Sequence, residues 1–194
     1  QLLLDYNRLS SAQSQRHFNE FVVVGPSDEI LISTNKLWEG EQLDQENFSE
    51  LLTKPASVLF YDITPFNDPD SNPLLLITSQ QIFDSFGNYQ ATLIGITKSP
   101  ELQRILEAGT LSHPQARPYF ICRSTKEDVY VGLSPATGMP TTFSPSDDHM
   151  ETVLPKVQNK ERESIVEFNS FNNILVLGIV HWLSSVDAAL VLEV

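Results

Sequence analysis

The sequence has little cysteine and little glycine, and each shortage excludes a kind of chemistry. Cys122 is the single cysteine among 194 residues, so the chain can form neither an internal disulfide bond nor a thiolate metal cage. Eight glycines leave little scope for a phosphate cradle, and no G-x-S-x-G, H-E-x-x-H, P-loop or G-x-G-x-x-G motif occurs. We therefore expect a protein without catalytic activity and without a cofactor.

Basic residues and long apolar runs are also scarce. The chain has 25 acidic residues against 12 basic ones, a net charge of −13 that repels nucleic acid and anionic lipid. The longest apolar run, Ile174 to Val180, is too short to span a bilayer, and we expect no signal peptide among these residues. Because the chain starts at Gln1 in a helical pattern, we expect a fragment cut from a longer protein with flanking membrane helices.

What the sequence does have is apolar material for a core, arranged in a repeated order of elements. Hydrophobic residues make up 41% of the chain. A loose helical pattern over residues 2–20 precedes a hairpin, a helix capped by Asp44 and ended by Pro55, three strands, and a helix beginning at Ser99-Pro100. The strands of this first set are predicted at residues 21–24, 30–33, 58–63, 74–78 and 91–97.

A second set repeats the same order. It comprises strands at residues 119–122, 129–133, 164–168, 174–182 and 188–194, with a short helix capped by Ser146 after the hairpin. Phe21 and Tyr119 are 98 residues apart, and Leu74 and Ile174 are 100 apart. The spacing indicates an α+β fold of two tandem lobes, each an antiparallel five-stranded sheet with flanking helices.

Two acidic stretches resemble metal-binding sequences, but a turn between strands explains the first better and the first turn of a helix explains the second better. Residues 68–72 have the D-x-D-x-N spacing that starts a calcium loop, but Pro73 and Ser79 stand where glycine and glutamate are needed. Adjacent helical residues such as Asp147, Asp148 and His149 cannot all face one ion. We therefore predict no metal site.

The candidate ligand site lies in the loops over the first sheet. Aromatic walls with one or two polar groups are typical of small-ligand pockets, and carboxylates there would suit an amine or another cation. The alternative interpretation is that the aromatic rings are core and the acids are solvated. The candidate ligand-binding residues are Trp38, Phe60, Tyr61, Asp62, Phe66 and Asp68.

Four stretches of the sequence resemble a known family. They are FVVVGPSDEILISTN with the following WEGEQL, ATLIGITKSPELQRILE, and ILVLGIVHWLSSVDAALVLEV, which contains Gly178, Trp182, Leu183 and Glu193. Together they resemble the double Cache sensor domains of bacterial transmembrane receptors such as chemoreceptors, histidine kinases and cyclases. The resemblance covers nearly the whole chain from about residue 20.

This resemblance implies an architecture and a function. It implies an N-terminal signalling helix at 1–20, a membrane-distal PAS-like lobe at 21–98, a connecting helix and linker at 99–118, and a membrane-proximal PAS-like lobe at 119–194. The domain would be periplasmic, attached through membrane helices to a cytoplasmic output domain, and would relay binding of an unknown small molecule in the distal lobe. Dimerisation through the N-terminal helix is a further expectation.

Two departures from the family pattern narrow these expectations. The junction at residues 108–114 has fewer glycines than the family shows, and the Arg-x-Trp-Tyr arrangement of amino-acid-binding members is absent. An amino-acid ligand is therefore not supported. The alternative function is a ligand-free interaction or dimerisation scaffold of the same type of receptor.

Overall fold

Two antiparallel sheets organise the described part of the chain. The computed structural model describes residues 18–61, 63, 65–66, 74–109, 116–123, 130–134, 140–143, 150–170 and 174–194. The first sheet has five strands and the second has six. The predicted α+β fold with two tandem antiparallel lobes is confirmed.

We call the lobe that contains the first sheet the distal lobe, and the other the proximal lobe, after the arrangement that the resemblance implies. The elements of the distal lobe are β1 (Glu20–Val24), β2 (Ile30–Ser33), a 3-10 helix (Lys36–Trp38), α1 (Gln45–Thr53), β3 (Ala56–Tyr61), β4 (Leu74–Phe83), β5 (Tyr89–Lys98) and α2 (Ser99–Gly109). Alternate residues of β1 and β5, such as Val22, Val24, Ile94 and Ile96, are fully buried on one face. This period of two gives the sheet a single apolar face, against which Phe48 and Leu51 of α1 pack.

The proximal lobe contains the second sheet. Its elements are β6 (Arg117–Arg123), β7 (Tyr130–Leu133), β8 (Pro140–Phe143), α3 (Val153–Gln158), β9 (Ser164–Asn169), β10 (Leu175–Leu183) and β11 (Ala188–Glu193). The strands lie in the order β2-β1-β5-β4-β3 in the distal sheet and β8-β7-β6-β11-β10-β9 in the proximal sheet. Without β8, the two orders correspond strand by strand. The prediction of five strands is therefore wrong for this lobe, because Pro140–Phe143 pairs with β7 as an added edge strand. Proline is tolerated at the first residue of an edge strand.

The β4–β5 hairpin is much longer than the sequence pattern predicts. Both strands have ten residues, and their pairing runs from Leu75 opposite Lys98 to Phe83 opposite Tyr89. The sequence pattern does not predict this extension, because the second half of β4 contains polar residues. Gln81 is nonetheless buried, because its Nε2 donates to the Leu51 carbonyl at the end of α1 at 2.9 Å.

The three helices agree with the sequence to different degrees. Asp44 caps α1 as predicted, because its Oδ1 accepts the Glu46 N–H at 3.0 Å. Ser99 does not serve as the predicted cap of α2. Since β5 continues directly into α2, the Ser99 hydroxyl faces β4, where it accepts from the Leu74 N–H at 2.8 Å and donates to the Leu74 carbonyl at 3.1 Å. The third helix begins at Val153, and its predicted cap, Ser146, lies outside the described residues.

A shared core joins the lobes. Leu59 of β3, Leu74 of β4 and Leu102 of α2 are buried in the same cluster as the proximal residues Tyr119, Val180 and Val191. The Leu59 N–H also donates to the Val186 carbonyl, in the turn between β10 and β11, at 3.3 Å. The distal sheet is thus packed against the proximal lobe by its β3–β4 side.

The predicted N-terminal helix lies outside the described residues up to residue 17. The first described residues, Phe18 and Asn19, attach to β5. The Asn19 N–H donates to the Ile96 carbonyl at 2.7 Å, and the Phe18 ring covers Gly95, where a Cβ would come within 2.6 Å of it. Within the described part of the chain, none of the helices has the length and apolarity to cross a membrane.

Candidate functional site

The candidate site in the distal lobe is built around the 3-10 helix that carries Trp38. Asn35 caps this helix by accepting the Leu37 N–H at 3.2 Å. Glu39, directly after it, accepts from the Ser33 N–H at 2.9 Å and from the Lys36 ammonium at 2.5 Å. The hydrogen bond from Lys36 and that from Ser33 lower the pKa of Glu39. These contacts fix the helix against β2, and so fix the position of Trp38.

Trp38 and Phe66 meet in the core of the distal lobe. Their ring centroids are 5.0 Å apart in an edge-on arrangement, and Phe66 also meets Phe48 of α1 edge-on at 5.6 Å. Trp38 is 7% exposed and Phe66 is 1% exposed. Two of the six predicted ligand-binding residues therefore come together, and both pack in the core, as the alternative interpretation of the aromatic rings holds.

The other four predicted site residues are placed only in part. Phe60 and Tyr61 belong to β3, where they pair with Leu75 and Leu74, and their side chains lie outside the described parts. Asp62 and Asp68 lie outside the described residues. The assignment of these residues to a ligand site stays a prediction.

Two cavities beside α1 were not foreseen from the sequence. The first, of about 570 Å³, lies between the distal and the proximal lobe, and the second, of about 510 Å³, lies along α1 from Gln45 to Thr53. The second is lined by Asp28, Gln45, Glu46 and Tyr89, among others. Its two carboxylates suit a cationic group. No motif marks it, because its residues come from a turn, a helix and a strand that only the fold brings together.

The cavity between the lobes has a different lining. It is rich in hydroxyl groups from both lobes, and Ser57 and Thr78 hydrogen-bond to each other across β3 and β4 at 3.0 Å. Ser184 and Ser185, from the turn between β10 and β11, close it from the proximal side. Lys54 in its wall pairs with Glu50 at 2.9 Å.

Catalytic chemistry finds little support in the described residues. Cys122 is buried, and burial raises its pKa to about 12, so the thiol is not a nucleophile at neutral pH. The part of the chain that the structure describes contains no group of three or more His, Cys, Asp or Glu side chains that could hold a metal ion.

The comparisons with known proteins identify the class of fold. The chain is similar to the extracellular domain of rpHK1S-Z16, assigned as a histidine kinase, with a TM-score of 0.59 and 10% identity, covering 100% of this chain and 77% of that one. It is also similar to the V. cholerae histidine kinase DctB sensor domain, with a TM-score of 0.52, 6% identity, and coverage of 98% and 76%. An extracellular ligand binding receptor from Desulfohalobium retbaense matches with a TM-score of 0.51, 15% identity, and coverage of 93% and 31%.

Because all the identities are low, these similarities show the fold and nothing finer. The chain has the fold of the extracellular sensor domains of bacterial signalling receptors. The predicted resemblance to double Cache domains, with two tandem PAS-like lobes, is confirmed at this level. The neighbours are sensor and ligand-binding domains rather than catalytic domains. No protein-family model matches the sequence, and no curated protein matches it.

Proposed function

We propose that the chain is the extracytoplasmic sensor domain of a bacterial transmembrane receptor of the histidine kinase, cyclase or chemoreceptor type. The observation that carries this proposal is the repeated strand order of two lobes joined by a shared apolar cluster, in a fold similar to that of extracellular sensor domains. In this proposal the domain has no catalytic activity. It is attached to membrane helices and to a cytoplasmic output domain.

The ligand in this proposal is a small molecule bound by the distal lobe, at residues 21–98. Tyr61 is the last residue of β3, and Asp62 comes next in the sequence, close to the buried Phe66. Asp62 and Asp68 would supply charge for an amine or another cation, and Phe60 and Tyr61 the aromatic wall. Trp38 and Phe66 would form the floor of this site, since their rings pack together.

The relay in this proposal runs through the connection between the lobes. Leu59 and Leu74 belong to strands of the distal sheet and are buried in the proximal core. A change in β3 on ligand binding would therefore reach the β10–β11 hairpin and the C-terminal strand. A ligand can shift the equilibrium between two conformations of the domain only by the difference in its affinity for them.

A thermal-shift screen of the purified chain tests ligand binding. The panel contains amines, carboxylates, nucleosides and divalent cations. We expect a saturable rise in melting temperature with one class, since a ligand that binds only the folded state stabilises it. Asp62→Ala and Tyr61→Ala should abolish the rise. Phe86→Ala, which truncates an aromatic ring that is 88% exposed, should retain it.

The alternative function is a ligand-free dimerisation or interaction scaffold. It is favoured by the packing of Phe66 against both Trp38 and Phe48, because core contacts then engage two of the predicted ligand-binding side chains. No shift across the panel, together with a stable dimer in sedimentation analysis, would contradict the sensor function and support the scaffold.

A further inference from the structure

A cavity on the proximal lobe has a composition unlike the rest of this acidic protein. It lies beside the turn between β10 and β11 and has a volume of about 350 Å³, within the usual range of small-ligand pockets. Its lining side chains are basic, aromatic or hydroxyl-bearing, apart from one leucine. They are Lys160, Arg162, His181, Trp182, Leu183, Ser184 and Ser185.

The charge of this lining is opposite to that of the chain. The net charge of the whole chain is −13, yet two of its 12 basic residues and one of its four histidines line this single cavity. None of the lining side chains is a carboxylate. Glu161, next to the cavity in sequence, is already engaged by the Lys156 ammonium at 3.0 Å and by the Ser164 hydroxyl. An anion would therefore find local attraction here despite the overall negative charge.

Arg162 is the cation available to such an anion. Lys160 is occupied, since its ammonium pairs with Asp187 at 2.7 Å and lies 4.9 Å from the centre of the Trp182 ring. Arg162, by contrast, forms no ion pair within the described part of the chain. A guanidinium presents a planar fork of donors that matches a carboxylate with two parallel hydrogen bonds.

The remaining walls suit the organic part of a ligand. Trp182 and Leu183 give the cavity an apolar side, and the half-buried Trp182 is held there by packing against the proximal core. The hydroxyls of Ser184 and Ser185 can donate hydrogen bonds to further oxygen atoms. The backbone of Trp182 is held in place because its N–H donates to the Glu161 carbonyl at 3.2 Å.

We propose that this cavity is a second binding site, and that it takes a small organic carboxylate whose charge pairs with Arg162 and whose apolar body lies against Trp182. The site differs in position and in charge from the proposed distal site. The inference deepens the proposed sensor function, on which it rests for its biological meaning, and its binding test is independent of that function.

The position of the cavity gives such a ligand a route to both lobes. Ser184 and Ser185 line this cavity and also the cavity of about 570 Å³ between the lobes. Val186, the next residue, accepts the hydrogen bond from Leu59 of the distal sheet. A carboxylate bound here would order the turn that touches both lobes, and would so modulate the relay.

The two tryptophans of the chain make the test direct. Trp182 lines the proximal cavity, while Trp38 is buried in the distal core, so their indole N–H signals in a proton–nitrogen NMR spectrum report on different lobes. Trp182→Phe assigns the two signals. The ¹⁵N-labelled chain is titrated with benzoate, with benzyl alcohol as the uncharged analogue, and with inorganic phosphate as a charge without an apolar body.

We expect benzoate to shift the Trp182 signal saturably and to leave the Trp38 signal in place, with no saturable shift from benzyl alcohol. Arg162→Gln should weaken benzoate binding by about tenfold or more, the effect of losing charge-assisted hydrogen bonds. Arg104→Gln makes the same change in net charge at an exposed ion pair on α2 and should leave binding unchanged.

Three results would overturn the inference. They are no saturable shift of Trp182 with benzoate, equal binding by the Arg162→Gln variant, or binding of phosphate in preference to benzoate. The last result would indicate a plain anion site. Failure of the distal-lobe function is recognised separately, because it concerns the thermal-shift panel and the Asp62→Ala variant rather than the Trp182 signal.

Discussion

At the scale of single residues, a buried carboxyl at the end of the last strand is the least expected feature. Glu193 is 3% exposed, and its Oε1 has no hydrogen-bond partner among the described residues. Burial raises the pKa of Glu193, and the Tyr119 hydroxyl and the Arg117 guanidinium only partly offset this effect. Burial and the nearby Glu193 charge in turn raise the pKa of Tyr119.

This carboxyl makes stability depend on pH. Because the pKa of Glu193 in the folded state lies above its ordinary value of 4.5, the folded state holds the proton to higher pH than the unfolded state does. The stabilising contribution is complete below pH 4.5 and is lost as pH rises through the raised pKa. Glu193→Gln cannot ionise, so it should melt at a higher temperature than the native chain at neutral pH.

Melting curves across the acidic range check this expectation. The difference between Glu193→Gln and the native chain should shrink as pH falls towards 4.5. Glu41→Gln, an exposed change with the same effect on net charge, is the matched control and should show no such trend. A Glu193→Gln variant less stable than the native chain at neutral pH would contradict the account.

At the scale of elements, the cap of α1 is the clearest link between sequence and structure. Asp44 accepts the Glu46 N–H at 3.0 Å and the Asn47 side-chain amide at 2.7 Å. The helix it starts brings Phe48 and Leu51 into the distal core. Asp44→Ala should lower the free energy of unfolding by about 0.5–2 kcal/mol, the usual cost of removing a helix N-cap.

Urea denaturation measures this cost. Asp44→Asn is the matched variant, since asparagine also accepts the hydrogen bond, and it should keep most of the stability. If Asp44→Ala were as stable as the native chain, the cap would be absent in solution.

How well each element could be predicted depends on what holds it in place. Helix α1 and the strands with alternating buried residues follow from local pattern and capping, and both were predicted. Strand β8 was missed, because a four-residue edge strand beginning with Pro140 carries too little periodicity to be recognised. The second half of β4 was missed because Gln81 looks exposed until its amide is seen to bind the end of α1.

The site was harder to predict than the fold. The Trp38 and Phe66 rings are in contact, but a sequence does not tell whether aromatic rings in a loop line a pocket or pack in the core. The proximal cavity has no sequence signal, because Arg162 and Trp182 are twenty residues apart and meet only through the pairing of β9 and β10.

At the scale of the whole molecule, the shared core determines how the lobes behave. Leu59, Leu74 and Leu102 contribute apolar side chains of the distal lobe to the proximal cluster. The distal lobe also has a buried cluster of its own, which includes Phe48 and Ile94. Lobes of this size are nevertheless near the lower limit of independent stability. We infer that the two lobes fold and unfold as one unit.

The proposed relay requires that the two lobes unfold cooperatively. Urea unfolding of the native chain, followed at both indole N–H signals, measures this cooperativity. Trp38 reports on the distal lobe and Trp182 on the proximal lobe. We predict coincident midpoints, and an equal shift of both in Leu59→Ala, by about 2–5 kcal/mol of unfolding free energy. Leu37→Ala, at a residue 84% exposed, should change neither. Two separate midpoints, or a shift of one signal alone, would contradict the coupling of the lobes.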